Sequence, residues 1–228
     1  GGLVKGDIMV KINMNGENIV DEMMNFSLKS GSSTVAGLSP FKGLLDVMSQ
    51  LNVKLPQRES RYRRLLGDLL SSARSPAEKR AKVKLSGMFF TDVMNGIDAA
   101  SRNNPRAFKA GLFNVMKRAT FGTDLANVID VDKTTIKEIT VDHINELEAT
   151  TGNLRVEKAP SGYSLGGQAI TGRRFFMTGP NAPKGHLLQF RFKFRPGDEQ
   201  KIYKELKLQI LLGGGAYLPK ADKNKKKR

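Results

Sequence analysis

The spacing of apolar residues changes period partway along this chain, and no other feature limits the fold as strongly. In the middle they recur every three to four positions. On segment 57–73, Tyr62, Leu65, Leu66, Leu69, Leu70 and Ala73 fall at i, i+3, i+4, i+7, i+8 and i+11, one stripe of an amphipathic helix. Ser39-Pro40, Ser75-Pro76 and Asn104-Pro105 each place a capping side chain ahead of a proline, whose fixed φ suits the first helical position. Helices opened this way put Phe89, Val93, Ile97 and Ala100 on one inward face, and Phe108, Leu112, Val115 and Ala119 on another. Residues 123–151 read as a further helix stopped by Gly152, although the β-branched "TTIKEITV" within them also suits a short strand.

At the two ends the period is two. Ile8, Val10, Ile12 and Met14 alternate with polar neighbours. Asn15-Gly16 then supplies the turn of a hairpin, and "ENIVDEMMNFSL" returns. After Gly152 short alternating runs are separated by glycine and proline. "QFRFKFR" puts Phe190, Phe192 and Phe194 on one parity and Arg191, Lys193 and Arg195 on the other, so a strand here has one greasy and one positive face. Leu206, Leu208, Ile210 and Leu212 alternate in the same way and predict an antiparallel partner. Helix-forming residues from Asp198 make a helix over 198–212 the competing reading, and the strand is favoured. The expected class is α+β: a β-hairpin at 1–28, a flexible linker at 29–39 ("KSGSSTVAGLS"), a helical region at 40–150, an antiparallel β region at 151–218, and a disordered basic tail at 219–228.

Charge bears on partners. Lys and Arg outnumber Asp and Glu 38 to 22, a formal charge of +16. Self-repulsion on that scale favours a polyanionic partner. The excess is uneven. Lys54, Arg58, Arg61, Arg63, Arg64, Arg74, Lys79, Arg80, Lys82 and Lys84 crowd one stretch against Glu59, Asp68 and Glu78. Residues 122–157 invert the balance through Asp124, Asp130, Asp132, Glu138, Asp142, Glu146, Glu148 and Glu157. From Lys184 onward the chain is basic again, ending "KADKNKKKR". Such blocks suit nucleic acid at the basic ends, or head-to-tail packing of copies, acidic patch on basic patch. The residues expected to meet phosphate are Arg58, Arg61, Arg63, Arg64, Lys79, Arg80, Lys82 and Lys84, then Arg173 and Arg174 beside Phe175-Phe176, then Arg191, Lys193, Arg195 and Lys207.

Signatures of catalysis are sparse. There is no cysteine, hence no thiolate metal ligand or thiol nucleophile, and there are only two histidines. His143, with Asp142 and Glu146 as orienting carboxylates, is the one group resembling an acid–base pair; an exposed helical histidine among carboxylates is the plainer reading. His186 reads as a loop residue. "GYSLGGQAITG" and "GPNAPKGH" match neither the dinucleotide fingerprint nor the P-loop, and "LLGGGAYLP" follows an element instead of opening a helix. No cofactor or metal is expected, and the chain is read as non-enzymatic. No apolar run approaches the length of a membrane span, and the first residues lack the layout of a signal peptide.

One segment resembles a known group of proteins. "ATTGNLRVEKAP" (149–160), through Thr151, Gly152, Asn153, Leu154 and Arg155, looks like the T-G-N-L-R stretch of neck and tail-completion proteins of tailed phages. The resemblance implies a virion structural protein that joins copies into a ring or caps a tube, its positive face toward DNA. The expected location is then the virion or the host cytoplasm, and the expected partners are copies of itself, other particle proteins, and nucleic acid. A sequence-nonspecific cellular RNA- or DNA-binding protein is the alternative, and a nucleic-acid-acting enzyme using His143 the third.

Overall fold

The computed structural model describes residues 8–10, 24–30, 34–38, 43–56, 60, 61, 64, 74–122, 127–132, 135–193 and 207–218. Among these are four α-helices and two sheets, an α+β arrangement. Helix α1 is Gly43–Gln50, α2 Pro76–Asn103, α3 Pro105–Phe121 and α4 Val141–Thr150. Strands β1 Ile8–Val10, β2 Met24–Ser30, β4 Asn127–Asp132 and β5 Thr135–Ile139 form one sheet in the order β1-β2-β4-β5. Strands β3 Thr34–Leu38, β6 Arg155–Leu165, β7 Gln168–Phe176, β8 Leu188–Lys193 and β9 Lys207–Leu212 form the other, in the order β3-β9-β8-β7-β6 and antiparallel throughout.

Capping chemistry starts the long helices where the Ser-Pro and Asn-Pro pairs stand. The Ser75 hydroxyl accepts from the Glu78 N–H at 3.2 Å, and the Glu78 carboxylate accepts from the Arg74 N–H at 2.7 Å. That N–H holds the Glu78 carboxyl below the usual carboxylate range. Asn104 ends α2 by donating its N–H to the Ala100 carbonyl, and starts α3 by accepting from the Ala107 N–H at 3.3 Å. One residue thus turns the chain between two helices without a loop. At the far end of α4, the Lys109 ammonium donates to the carbonyls of Glu148 and Thr151 at 3.2 and 2.9 Å, where the helix dipole favours a cation.

The core lies between these helices and one face of the five-stranded sheet. Phe190 and Phe192 on β8 share that face with Phe175 on β7 and with Leu208, Ile210 and Leu212 on β9, and all are buried. Their rings meet the helices and each other: Phe192 lies 4.0 Å from Phe90 of α2, Phe175 4.9 Å from Phe190 and 6.0 Å from Phe108 of α3. The alternation of QFRFKFR is therefore that of a half-buried strand as far as Lys193; Phe194 and Arg195 lie outside the described residues. Strands β6 and β7 are joined by Gly166-Gly167, both with positive φ (58° and 80°), the geometry that a two-residue hairpin turn demands. Strand β6 is an edge of the sheet and carries an irregularity between Lys158 and Gly162, around Pro160.

Several sequence expectations are revised. Within the expected linker 29–39, Lys29 and Ser30 belong to β2, and Thr34–Leu38 is strand β3, paired with β9. Small residues read locally as a loop, yet Thr34 and Val35 are β-branched, and the edge of β9 supplies the hydrogen bonds that decide the matter. The helix expected over 123–151 is confined to α4; its β-branched first half forms β4 and β5. The N-terminal pairing is antiparallel, Ile8 opposite Phe26 and Val10 opposite Met24, but β2 also pairs in parallel with β4, so these strands belong to a larger sheet. The Asn15-Gly16 turn, residues 198–206 and the tail 219–228 lie outside the described residues, as does most of the 57–73 helix, of which Ser60, Arg61 and Arg64 are helical.

Close approach of backbones makes α3 sensitive at one position. A Cβ on Gly111 would stand 2.1 Å from the Gln50 carbonyl oxygen at the end of α1, and no rotamer relieves a clash with backbone. Gly111→Ala is expected to lower stability by about 1–3 kcal/mol despite the better helix propensity of alanine. Urea unfolding followed by circular dichroism measures it, and a neutral or stabilising result would contradict the contact.

Candidate functional site

The structure separates the expected phosphate-binding cations into buried, surface and undescribed groups. Arg173 is buried. Its side chain, 4% exposed, points to the helix side of β7, where Nε and Nη2 donate to the Asp98 carboxylate of α2 at 2.7 and 2.8 Å. Nη1 is taken up by the Thr171 and Gly172 carbonyls and the Thr171 hydroxyl. Buried, paired with a carboxylate and with its three nitrogens all hydrogen-bonded, Arg173 is a structural residue. Lys82 is also buried and pairs with Glu78 at 3.5 Å. Arg61, Arg64, Arg80 and Lys84 are exposed, and Lys79 is partly so. Arg58, Arg63 and Arg195 lie outside the described residues.

The opposite face of the five-stranded sheet assembles the rest. Strand register places Glu157, Arg174, Gln189 and Leu211 in one row across β6, β7, β8 and β9. One step along β8, Arg191 stands across from Gln209, and one step further Lys193 stands across from Lys207. Successive rows are about 7 Å apart, two residues of strand rise. The Arg174 Nε donates to the Gln189 amide oxygen at 3.0 Å; Arg191 Nε and Nη2 donate to the Gln209 amide oxygen at 3.1 and 2.7 Å. Both guanidinium groups are partly exposed, and among the described residues neither meets a carboxylate. Glu157, the acid nearest in register, is engaged by Arg155, whose guanidinium also lies 4.4 Å over the Phe176 ring.

A glutamine oxygen orients an arginine without cancelling its charge, so the row holds fixed forks with positive potential intact. The sequence does not single out Gln189 or Gln209, although both share the parity of the cations beside them, Gln189 with Arg191 and Gln209 with Lys207. Arg155 belongs to the T-G-N-L-R stretch. That stretch links α4 to β6, its backbone tied down by Thr178, which accepts from the Gly152 N–H and donates to the Asn153 carbonyl.

The acid–base candidates do not converge. The His143 side chain, expected to be exposed, is buried with Ile144 and Leu147 on the inner stripe of α4. Its Nε2 has no hydrogen-bond partner among the described residues. Asp142 and Glu146 are exposed on the other side of the helix. His186 lies in the loop before β8, its ring 5.9 Å from Phe176. Burial first, and then the charge of Arg174, push its pKa below 6.5. Among the described residues no group of acids and histidines has the arrangement of a metal site, and no helix is long and apolar enough to cross a membrane.

Two outcomes are expected. Asp98→Ala leaves the Arg173 charge buried and unpaired and is expected to cost about 2–4 kcal/mol, while Asp98→Leu with Arg173→Met recovers most of it. Denaturant melts of the three chains test this, and equal stability of the single and double variants would refute the pairing. For His186, the unfolded chain takes up a proton near the ordinary pKa of 6.5 while the folded chain resists it. Stability therefore falls as pH drops through that value, and levels once the folded form is protonated too. His186→Gln is expected to flatten the Tm profile between about pH 7.5 and 5.5.

No family model, curated protein or solved structure matches this chain.

Proposed function

We propose that this chain is a non-enzymatic structural protein of a virion or other nucleoprotein particle, one that associates with itself and turns a basic face to nucleic acid. The observation that carries the reading is the outward face of the five-stranded sheet. Arg174 and Arg191 are oriented there by Gln189 and Gln209 and left unneutralised. Fixed guanidinium forks on neighbouring strands, in rows about 7 Å apart, suit a phosphate backbone, and their registration on a rigid sheet positions it without reading bases. Phe175, Phe190 and Phe192 of the same strands are core residues, and Phe176, which has the outward parity of Arg174, lies under the Arg155 guanidinium, so the cations lead the contact with phosphate. The charge of +16 supplies long-range attraction, and the T-G-N-L-R resemblance supports a place in a particle.

The test is fluorescence anisotropy with labelled single- and double-stranded oligonucleotides of mixed sequence over a salt series. Affinity is expected to fall steeply with salt and to depend little on sequence. Arg174→Gln with Arg191→Gln is expected to weaken binding about tenfold or more at low salt and to reduce the log–log slope by about two units. A double variant with an unchanged slope would rule out this face. A protein that binds in this way yet remains monomeric at high concentration would be a sequence-nonspecific nucleic-acid binder and not an assembly protein.

A further inference from the structure

The sheet face leaves half of the basic surface unused. Helix α2 packs its inner side on β6 and β7, so its outer side looks away from the sheet, and the two basic surfaces lie on opposite sides of one helix-on-sheet layer. The outer side carries Ala81, Lys84 and Met88 in a line, with Arg80 and Leu85 flanking them, and all five are exposed. Met88 at 48% and Leu85 at 39% are the large apolar side chains that stand out in water among the described residues. Arg80 and Lys84 are like charges one helical turn apart, an arrangement that mildly destabilises a helix standing alone. Among the described residues neither has an acidic partner.

Helix α4 is its counterpart. Asp142, Asn145, Glu146 and Ala149 are exposed on its outer side. Asp142 and Glu146 are again like charges one turn apart, and they have no basic partner among the described residues. The spacing matches that of Arg80 and Lys84, about 6 Å along each axis. With the helices side by side in the same sense, Arg80 meets Asp142 and Lys84 meets Glu146. Met88 then lies over Ala149, whose small side chain leaves room for it. Within one chain both faces are open to solvent, so each is free for another molecule.

We propose that the Arg80–Lys84–Met88 face of α2 docks on the Asp142–Glu146–Ala149 face of α4 in a second copy of this chain. The contact joins two different surfaces, so each copy offers one of each and the assembly runs head to tail, closing into a ring if the rotation allows. It rests on the self-association half of the function proposed above and names the surface that does it. The contact is small, because α4 is ten residues and about 15 Å long. Each joint is accordingly weak and salt-sensitive, and an assembly gains strength by repeating it.

The experiment is sedimentation velocity on the full chain without nucleic acid, at low salt, over a concentration series. Wild type is expected to form species larger than a monomer, diminishing as salt rises. Arg80→Glu with Lys84→Glu, and separately Asp142→Lys with Glu146→Lys, are each expected to weaken association at least tenfold, with unchanged circular dichroism. Mixing the two variants restores opposite charge at every joint and is expected to restore association. Variants that associate like wild type, or a mixture that stays as dispersed as its components, would overturn this interface while leaving self-association standing. A wild-type chain that stays monomeric at every concentration would overturn the assembly reading itself, and nucleic-acid binding by the sheet face remains a separate measurement.

Discussion

Everything described here hangs on the aromatic contact between one face of the five-stranded sheet and the two long helices. Phe175, Phe190 and Phe192 lie against Phe90 and Phe108, and each such ring removed from a packed core costs about 3–5 kcal/mol. This contact chooses which parity of β7, β8 and β9 turns inward. Once that choice is made the other parity is fixed as well, because a strand has only two sides. The burial of phenylalanine is thus what arrays Arg174, Arg191 and their glutamine partners outward in rows.

Arg173 shows how strictly the rule is enforced. It belongs to the inward parity, between Phe175 and Thr171, and a cation there must be neutralised and hydrogen-bonded or expelled. Asp98 reaches across from α2 and takes donors of Nε and Nη2, while the backbone of β7 and the Thr171 hydroxyl take those of Nη1. Two adjacent arginines of identical chemistry therefore have unrelated roles. Arg173 ties a helix to the sheet, and Arg174, partly exposed on the opposite face, meets no carboxylate among the described residues.

How much of this was legible in the sequence follows from the range of the forces involved. The caps at Ser75 and Asn104, the inward faces of α2 and α3, and the two-faced nature of QFRFKFR rest on interactions within a few residues, and the sequence displays them directly. Strand β3 rests on hydrogen bonds to β9, more than 160 residues away in sequence, and nothing in "STVAGL" announces that partner. The 127–139 segment has the β-branched residues of strands but lies in a stretch that reads as a helix stopped by Gly152, and pairing with β2 settles it. For the sheet surface, Arg191 and its parity were visible early. The Gln189 and Gln209 partners were not, because a glutamine on a wet face has no meaning until register places an arginine across from it. The burial of Arg173 and Lys82 was hidden for a related reason: charge is written in the sequence, and burial is not.

The edge of the sheet at β6 bears on how the molecule stays discrete. Proline has no N–H to offer, and Pro160 sits where the strand slips register between Lys158 and Gly162. A strand from a neighbour that tried to extend the sheet on this side would lose its ladder partway along. Growth of the sheet by continuous β-pairing is thereby hindered at this border.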